Sequence, residues 1–177
     1  MPKGSIPNNL PLSGAIAFIG REDKLAELDR QLQNCDRIAI TALKGMGGIG
    51  KTELALQYAI RAYRQERYPG GVCWLRSRGE EIATQIVSFA RVNLGLTIPD
   101  DIEADEQVKF IWQRWPEGNA LIVIDDVVEY SAIIDYLPPS NARFKVLMTT
   151  RKQNLAATVT SIDIEELSDE AAIAVFS

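Results

Sequence analysis

The stretch Gly45-Met46-Gly47-Gly48-Ile49-Gly50-Lys51-Thr52 constrains this chain more than any other. It satisfies G-x-x-x-x-G-K-[ST], the pattern of a loop that wraps the phosphate tail of a nucleoside triphosphate. Its flanks fit that reading. Before it, Arg37 to Leu43 is short and β-rich; after it, Glu53 to Ile60 is helix-forming throughout. Strand, glycine loop and helix in that order form one supersecondary unit.

The physical basis of the pattern is direct. Glycines at Gly45, Gly47, Gly48 and Gly50 allow positive φ and a close backbone approach to a ligand. Successive N–H groups then form an anion nest, reinforced by the positive end of a helix expected to begin near Lys51. Lys51 supplies a point charge for the β- and γ-phosphates, and the Thr52 hydroxyl can ligate Mg²⁺.

The rest of the 177 residues alternates short β-branched apolar runs with longer helical patterns, which implies an α/β fold with a parallel sheet and helices on its faces. Helices are expected over 22–33, 51–64, 80–94 and 104–115, with a short one at about 129–136 stopped by Pro138-Pro139. Strands are expected over 37–43, 72–75, 120–124, 144–148 and 161–164. Ala120-Leu121-Ile122-Val123-Ile124 is the most hydrophobic run, as a central strand buried on both faces requires. A last helix opens at Ser168, a plausible N-cap, and its apolar pattern still runs at Ser177. That pattern suggests one domain of a larger protein. Residues 1–15 read as a flexible lead-in and 16–177 as the folded domain.

Composition narrows the function. A net charge of −5, with no block of Lys or Arg, argues against direct nucleic-acid binding by this segment. Arg61, Arg64 and Arg67 are interrupted by Glu66 and read as a solvated helix face. No histidine is present, so His triads, His–metal sites and His general bases are excluded and acid–base work falls to carboxylates. No apolar stretch approaches the ~18 residues that a membrane-spanning helix needs. Cys35 and Cys73 are too few and too far apart for a disulfide framework or metal site and read as small core residues; the expected compartment is cytoplasmic.

A second half of the site comes after the hydrophobic run. Asp125-Asp126 falls at the carboxyl edge of a buried strand, where α/β sheets bind ligands. Asp125 suits Mg²⁺, held through water, and Asp126 could orient or deprotonate an attacking water. Two acids there are otherwise a strand end reaching solvent. Thr149-Thr150-Arg151 comes after the next strand and should emerge on the same edge. Arg151 can reach a γ-phosphate with its forked donor or pair with a surface acid, and the residues alone leave both open.

Taken together, Phe18-Ile19-Gly20-Arg21-Glu22, the GMGGIGKT loop, LIVIDD and TTR resemble the NB-ARC class of STAND ATPases, over about residues 16 to 177. That class includes plant disease-resistance proteins, animal apoptosome ATPases and bacterial signalling proteins. The segment Ile164 to Ala171 is also similar to the family's segment after its last core strand. The resemblance implies a P-loop NTPase three-layer sandwich, with a five-stranded, mostly parallel sheet and the phosphate-loop strand inside it. It implies an adenine pocket lined by Phe18 and Ile19, with Gly20 and Arg21 near the nucleotide. The phosphate contacts would run from Gly45 through Gly47, Gly48, Ile49 and Gly50 to Lys51, Thr52 and Glu53. Thr52 and Asp125 would serve Mg²⁺. Asp126 would be the catalytic acid, with Lys51 and Arg151, the γ-phosphate sensor, completing the catalytic set.

In the family, ADP locks a closed resting form, and exchange for ATP opens the chain and permits assembly into an oligomer. A helical domain and a winged helix close over the nucleotide; neither lies within these residues. The expectation is therefore an ADP/ATP-binding switch domain, a weak ATPase at most, whose partners are the nucleotide, its own C-terminal domains and further copies of itself. Three other readings stand beside it. A P-loop phosphotransferase would leave the Phe18–Glu22 and TTR elements unexplained. An ATPase acting on DNA sits badly with the acidic charge. A vestigial interaction domain sits badly with intact Lys51, Thr52, Asp125 and Asp126.

Overall fold

Apolar runs that alternate with amphipathic helices assemble here into one parallel sheet with helices on both faces. The computed structural model describes residues 5–11, 22–41, 49–77 and 81–163. Chain order is α1 (Glu22–Asn34), β1 (Arg37–Thr41), α2 (Ile49–Arg64), β2 (Gly71–Arg76), α3 (Ile82–Val92), α4 (Ala104–Arg114), β3 (Ala120–Val127), β4 (Phe144–Thr150) and β5 (Thr160–Asp163). The five strands lie in the order β2-β3-β4-β1-β5, and all their pairings are parallel. The β1 strand therefore lies inside the sheet, as expected. The most hydrophobic strand, β3, is interior too, but β4 occupies the middle.

Side-chain alternation splits the core into two layers. Ile38, Ile40, Leu121, Val123 and Leu147 point to the face covered by α1 and α2, where Leu28, Leu32, Leu54 and Tyr58 meet them. Ala39, Ile122, Ile124, Val146 and Met148 point to the face covered by α3 and α4. There Phe89, Trp112, Trp115 and Phe144 form an aromatic cluster with ring centroids 5.1 to 6.0 Å apart. The Trp115 indole donates to the Gly70 carbonyl at 2.7 Å. A Cβ on Gly70 would sit 2.5 Å from the Gly118 carbonyl oxygen, so this turn requires glycine.

Several boundaries differ from those expected. The α2 helix begins at Ile49, two residues earlier, and β4 continues to Thr150. The β3 strand runs on through both aspartates to Val127, because a register shift between Ile124 and Val127 lets pairing with Thr150 resume. The short helix expected at 129–136 is instead two 3₁₀ turns, Tyr130–Ala132 and Ile134–Tyr136. So short a segment ahead of Pro138 cannot offset helix nucleation. Tyr130, Ile133 and Leu137 are nevertheless buried against the sheet. The helix expected from Ser168 lies outside the described residues.

Residues 5–11, within the stretch expected as a lead-in, lie along the outer edge of β2. Val72 N–H donates to the Pro7 carbonyl, and Asn8 bridges Val72 in parallel. The Asn9 side-chain amide takes the Trp74 N–H at 2.6 Å and donates to the Trp74 carbonyl at 2.9 Å. Further along, Gln85 does the same for Arg76, at 2.8 and 2.7 Å. An edge strand presents unpaired backbone groups; two side-chain amides and one short segment satisfy them here.

Of the basic residues read as a solvated face, Arg61 pairs with Glu22 at 2.7 Å and Arg67 with Asp29 at 2.5 Å. Asp29 also accepts from the Tyr58 hydroxyl, which lies 2.7 Å from that of Tyr68. Cys73 is buried, which pushes its thiol up; Cys35 is half-buried, and both are free. Among the described residues no helix is long and apolar enough to cross a membrane.

Two testable outcomes arise from this packing. Asn9→Ala should lower stability by about 1–2 kcal/mol in denaturant titration and speed hydrogen exchange of the Trp74 amide, since two bonds to one strand are lost. Burial pushes the Tyr68 phenol up to about 12. Its unfolded value is about 10, so above pH 10 the unfolded chain ionises first and stability falls with rising pH. The stability advantage of wild type over Tyr68→Phe should therefore shrink between pH 10 and 12.

Candidate functional site

The carboxyl ends of β1, β3 and β4 face the N-terminus of α2, at the crevice where strand order reverses. Ile49, Gly50, Lys51 and Thr52 form the first turn of α2, whose N–H groups have no acceptor within the helix. The first turns of α2 and α3 hold no acid, whereas those of α1 and α4 hold Glu22 and Asp23 or Asp105 and Glu106. The positive end of α2, unlike that of α3, opens on a cleft, where it can favour an anion.

A cleft of about 340 Å³ opens there, lined by Lys51, Thr52, Glu53, Asp125, Asp126, Thr149 and Arg151. Lys51 is only 3% exposed. Burial, and then the Arg151 guanidinium, hold its pKa below the usual lysine value, against the pull of Asp126 and Asp125. Among the described residues no acid pairs with Arg151, which is exposed at the cleft rim. Glu53 accepts from Gln57 one turn along, at 3.0 Å.

The acids are held by two hydroxyls. Thr52 Oγ1 donates to Asp125 Oδ1 at 2.8 Å, and Thr149 Oγ1 donates to the same oxygen at 2.6 Å. The Asp126 backbone N–H donates to Thr149 Oγ1 at 2.8 Å. Asp126 has φ 59°, the left-handed region, and is the extra residue of a β-bulge. Strict alternation would put Val127 on the α2 face; the bulge shifts the phase, and Val127 packs with the α3/α4 layer instead.

The donor set fits Mg²⁺. Magnesium takes hard oxygens, one or two carboxylates and the phosphates of a substrate, and keeps several waters. Thr52 gives its single proton to Asp125, which leaves the hydroxyl lone pairs free for a cation. Among the described residues no cluster of three or more metal-ligating side chains occurs, and Mg²⁺ beside a nucleotide needs none.

Of the residues singled out from sequence, Lys51, Thr52, Glu53, Asp125, Asp126 and Arg151 share this cleft, and Ile49 and Gly50 start the helix beside it. Phe18, Ile19, Gly20, Arg21, Gly45, Gly47 and Gly48 lie outside the described residues. Thr149 had no assigned role. Its period-two relation to Leu147, which faces α2, was the available signal.

The fold and the composition of this cleft are those of a P-loop NTPase. Two solved structures share the fold: Drosophila ORC bound to AT-rich DNA and Cdc6, and Cdc6p from Pyrobaculum aerophilum. Their TM-scores are 0.58 and 0.54, at 13% and 16% identity, covering 82% and 85% of this chain and 55% and 47% of those. Within the class the assignment is specific: the NB-ARC domain matches residues 21–177, and the chain belongs to that family. The regulatory protein AfsR of Streptomyces griseus is 29% identical over 171 residues, 90% of this chain and 17% of that protein. The probable disease resistance protein RXW24L of Arabidopsis thaliana is 27% identical over 154 residues, 78% of this chain and 16% of that one. The chain thus spans about a sixth of the length of these curated relatives.

The bulge makes a sharp stability prediction. Asp126→Gly should stay within about 1 kcal/mol of wild type in denaturant unfolding, because glycine accepts this φ. Asp126→Val should cost about 1–3 kcal/mol, because a β-branched residue is strained there.

Proposed function

We propose that this chain is the ADP/ATP-binding domain of a STAND-type signalling switch. The observation that carries the reading is the convergence of Lys51, Thr52, Asp125, Asp126 and Arg151 on one cleft at an acid-free helix N-terminus. A triphosphate tail would lay its β- and γ-phosphates against the α2 N–H groups and Lys51. The buried Lys51 ammonium and the Arg151 guanidinium, which raise each other's energy, would then share an anion. The planar fork of Arg151 suits a terminal phosphate and would report its presence.

Thr52 and Asp125 would hold Mg²⁺, which would supply charge neutralisation at the phosphates. Asp125, already accepting from Thr52, would hold the metal's water shell. Asp126 would orient a water for attack on the γ-phosphate. With no histidine in the chain, a carboxylate is the available base at this position.

Hydrolysis by the chain alone is expected to be slow. The curated relatives are far longer than the matched region, and in this reading the switching belongs to domains that close over the nucleotide. Those domains, further copies of the protein in an activated oligomer and a cytoplasmic location complete the proposal. One fold neighbour, Drosophila ORC, is bound to DNA, but the net charge of −5 here gives no footprint for a phosphate backbone.

Calorimetry with Mg-ATP and with ADP provides the test. Lys51→Ala should weaken binding by about 10- to 100-fold through loss of a charge-assisted contact. Equal affinity in wild type and variant would rule out phosphate-loop binding. A multiple-turnover rate near ~1 s⁻¹, as in working kinases, would overturn the slow-ATPase part. Nucleotide released on denaturation should have the mass of ADP or ATP.

A further inference from the structure

We infer that Thr149 is the positioning residue of this site: its hydroxyl sets the Asp125 carboxylate and the Asp126 backbone relative to each other. This rests on the nucleotide-site reading and adds the group that ties its two acids into one unit.

Every bonding capacity that matters in this hydroxyl is committed. Its oxygen accepts the Asp126 N–H at 2.8 Å, and its proton goes to Asp125 Oδ1 at 2.6 Å. A hydroxyl has one proton, and a backbone N–H can only donate, so the direction of both bonds is fixed. The side chain that makes them cannot wander. Thr149 is 1% exposed, β-branched and therefore stiff at χ1, and its Cα is in register with Ile40 of β1.

The bulge explains why such a residue is needed. The register passes from Ile124↔Met148 to Val127↔Thr150, so Asp126 is left out of the ladder. Its N–H takes a side-chain oxygen from β4 in place of a backbone carbonyl. At φ 59° the Asp126 backbone is in a conformation most side chains avoid, and this bond helps keep it there. The same hydroxyl then joins Thr52 in directing a proton at Oδ1, so Asp125 is fixed from α2 on one side and from β4 on the other. Remove Thr149 Oγ1 and the carboxylate, whose final torsion is soft, keeps one restraint.

Removing this hydroxyl should therefore weaken the Mg²⁺-dependent part of nucleotide binding and spare the part made by the phosphate loop. Calorimetry of ADP in Mg²⁺ and in EDTA separates the two, on the 177-residue chain and on Thr149→Val, Thr149→Ser and Lys51→Ala. Thr149→Val should lose about 10-fold or more of the Mg²⁺ enhancement, a typical loss for a group that orients a metal's ligands, with EDTA affinity close to wild type. Thr149→Ser should restore both. In wild type the Asp126 amide should be protected from hydrogen exchange despite lying in a bulge, a measurement that holds even if Thr149→Val does not fold.

An intact Mg²⁺ enhancement in Thr149→Val, or equal losses in Mg²⁺ and EDTA, would overturn the positioning role while Lys51→Ala still loses binding. An unprotected Asp126 amide would do the same. Wild-type affinity in Lys51→Ala would instead remove the nucleotide-site reading, and this inference with it.

Discussion

One carboxylate oxygen joins the three elements that make the site. Asp125 Oδ1 accepts from Thr52 at the start of α2 and from Thr149 at the end of β4, while its own backbone belongs to β3. Helix, strand and strand are thus registered at the point where their ends meet. Without that junction each would present its polar residues to solvent independently. Two hydroxyls on one acceptor in a half-buried pocket also form a small cooperative network, stronger inside protein than in water.

That junction is possible only because everything beneath it is apolar. Both faces of the sheet are covered, so the strands must be nearly continuous hydrophobic runs until they reach the ligand edge. The β3 strand makes the transition within one residue, from buried Ile124 to Asp125. The bulge falls at that point. It lets two successive acids serve the site and still returns Val127 to the core, which a regular strand cannot do.

Much of this could be read from the residues. The glycine loop, the apolar runs and the two acids announced a parallel α/β sheet, and the acids lie in a cleft at its carboxyl edge. Those signals are local: a pattern of eight residues, a period of two, a period of 3.6. What escaped reading depends on partners distant in sequence. Nothing around Asp126 marks a positive φ, because the bond that accompanies it comes from Thr149. Ser5 to Pro11, with two prolines and no apolar period, looks like coil; its order comes from the unfilled edge of β2. The 3₁₀ turns after β3 keep the burial spacing of a helix, so the sequence pattern fits both.

The segment along β2 has a mechanical consequence. It runs parallel to the strand it covers, so tension applied through the chain ahead of Ser5 would load its hydrogen bonds in shear, not peel them one at a time. The load would pass to β2, whose last residue, Arg76, is in register with Asp125 and whose neighbour Ser77 donates its N–H to the Asp125 carbonyl at 2.9 Å. Force at the N-terminus and charge at the cleft are therefore separated by a single strand.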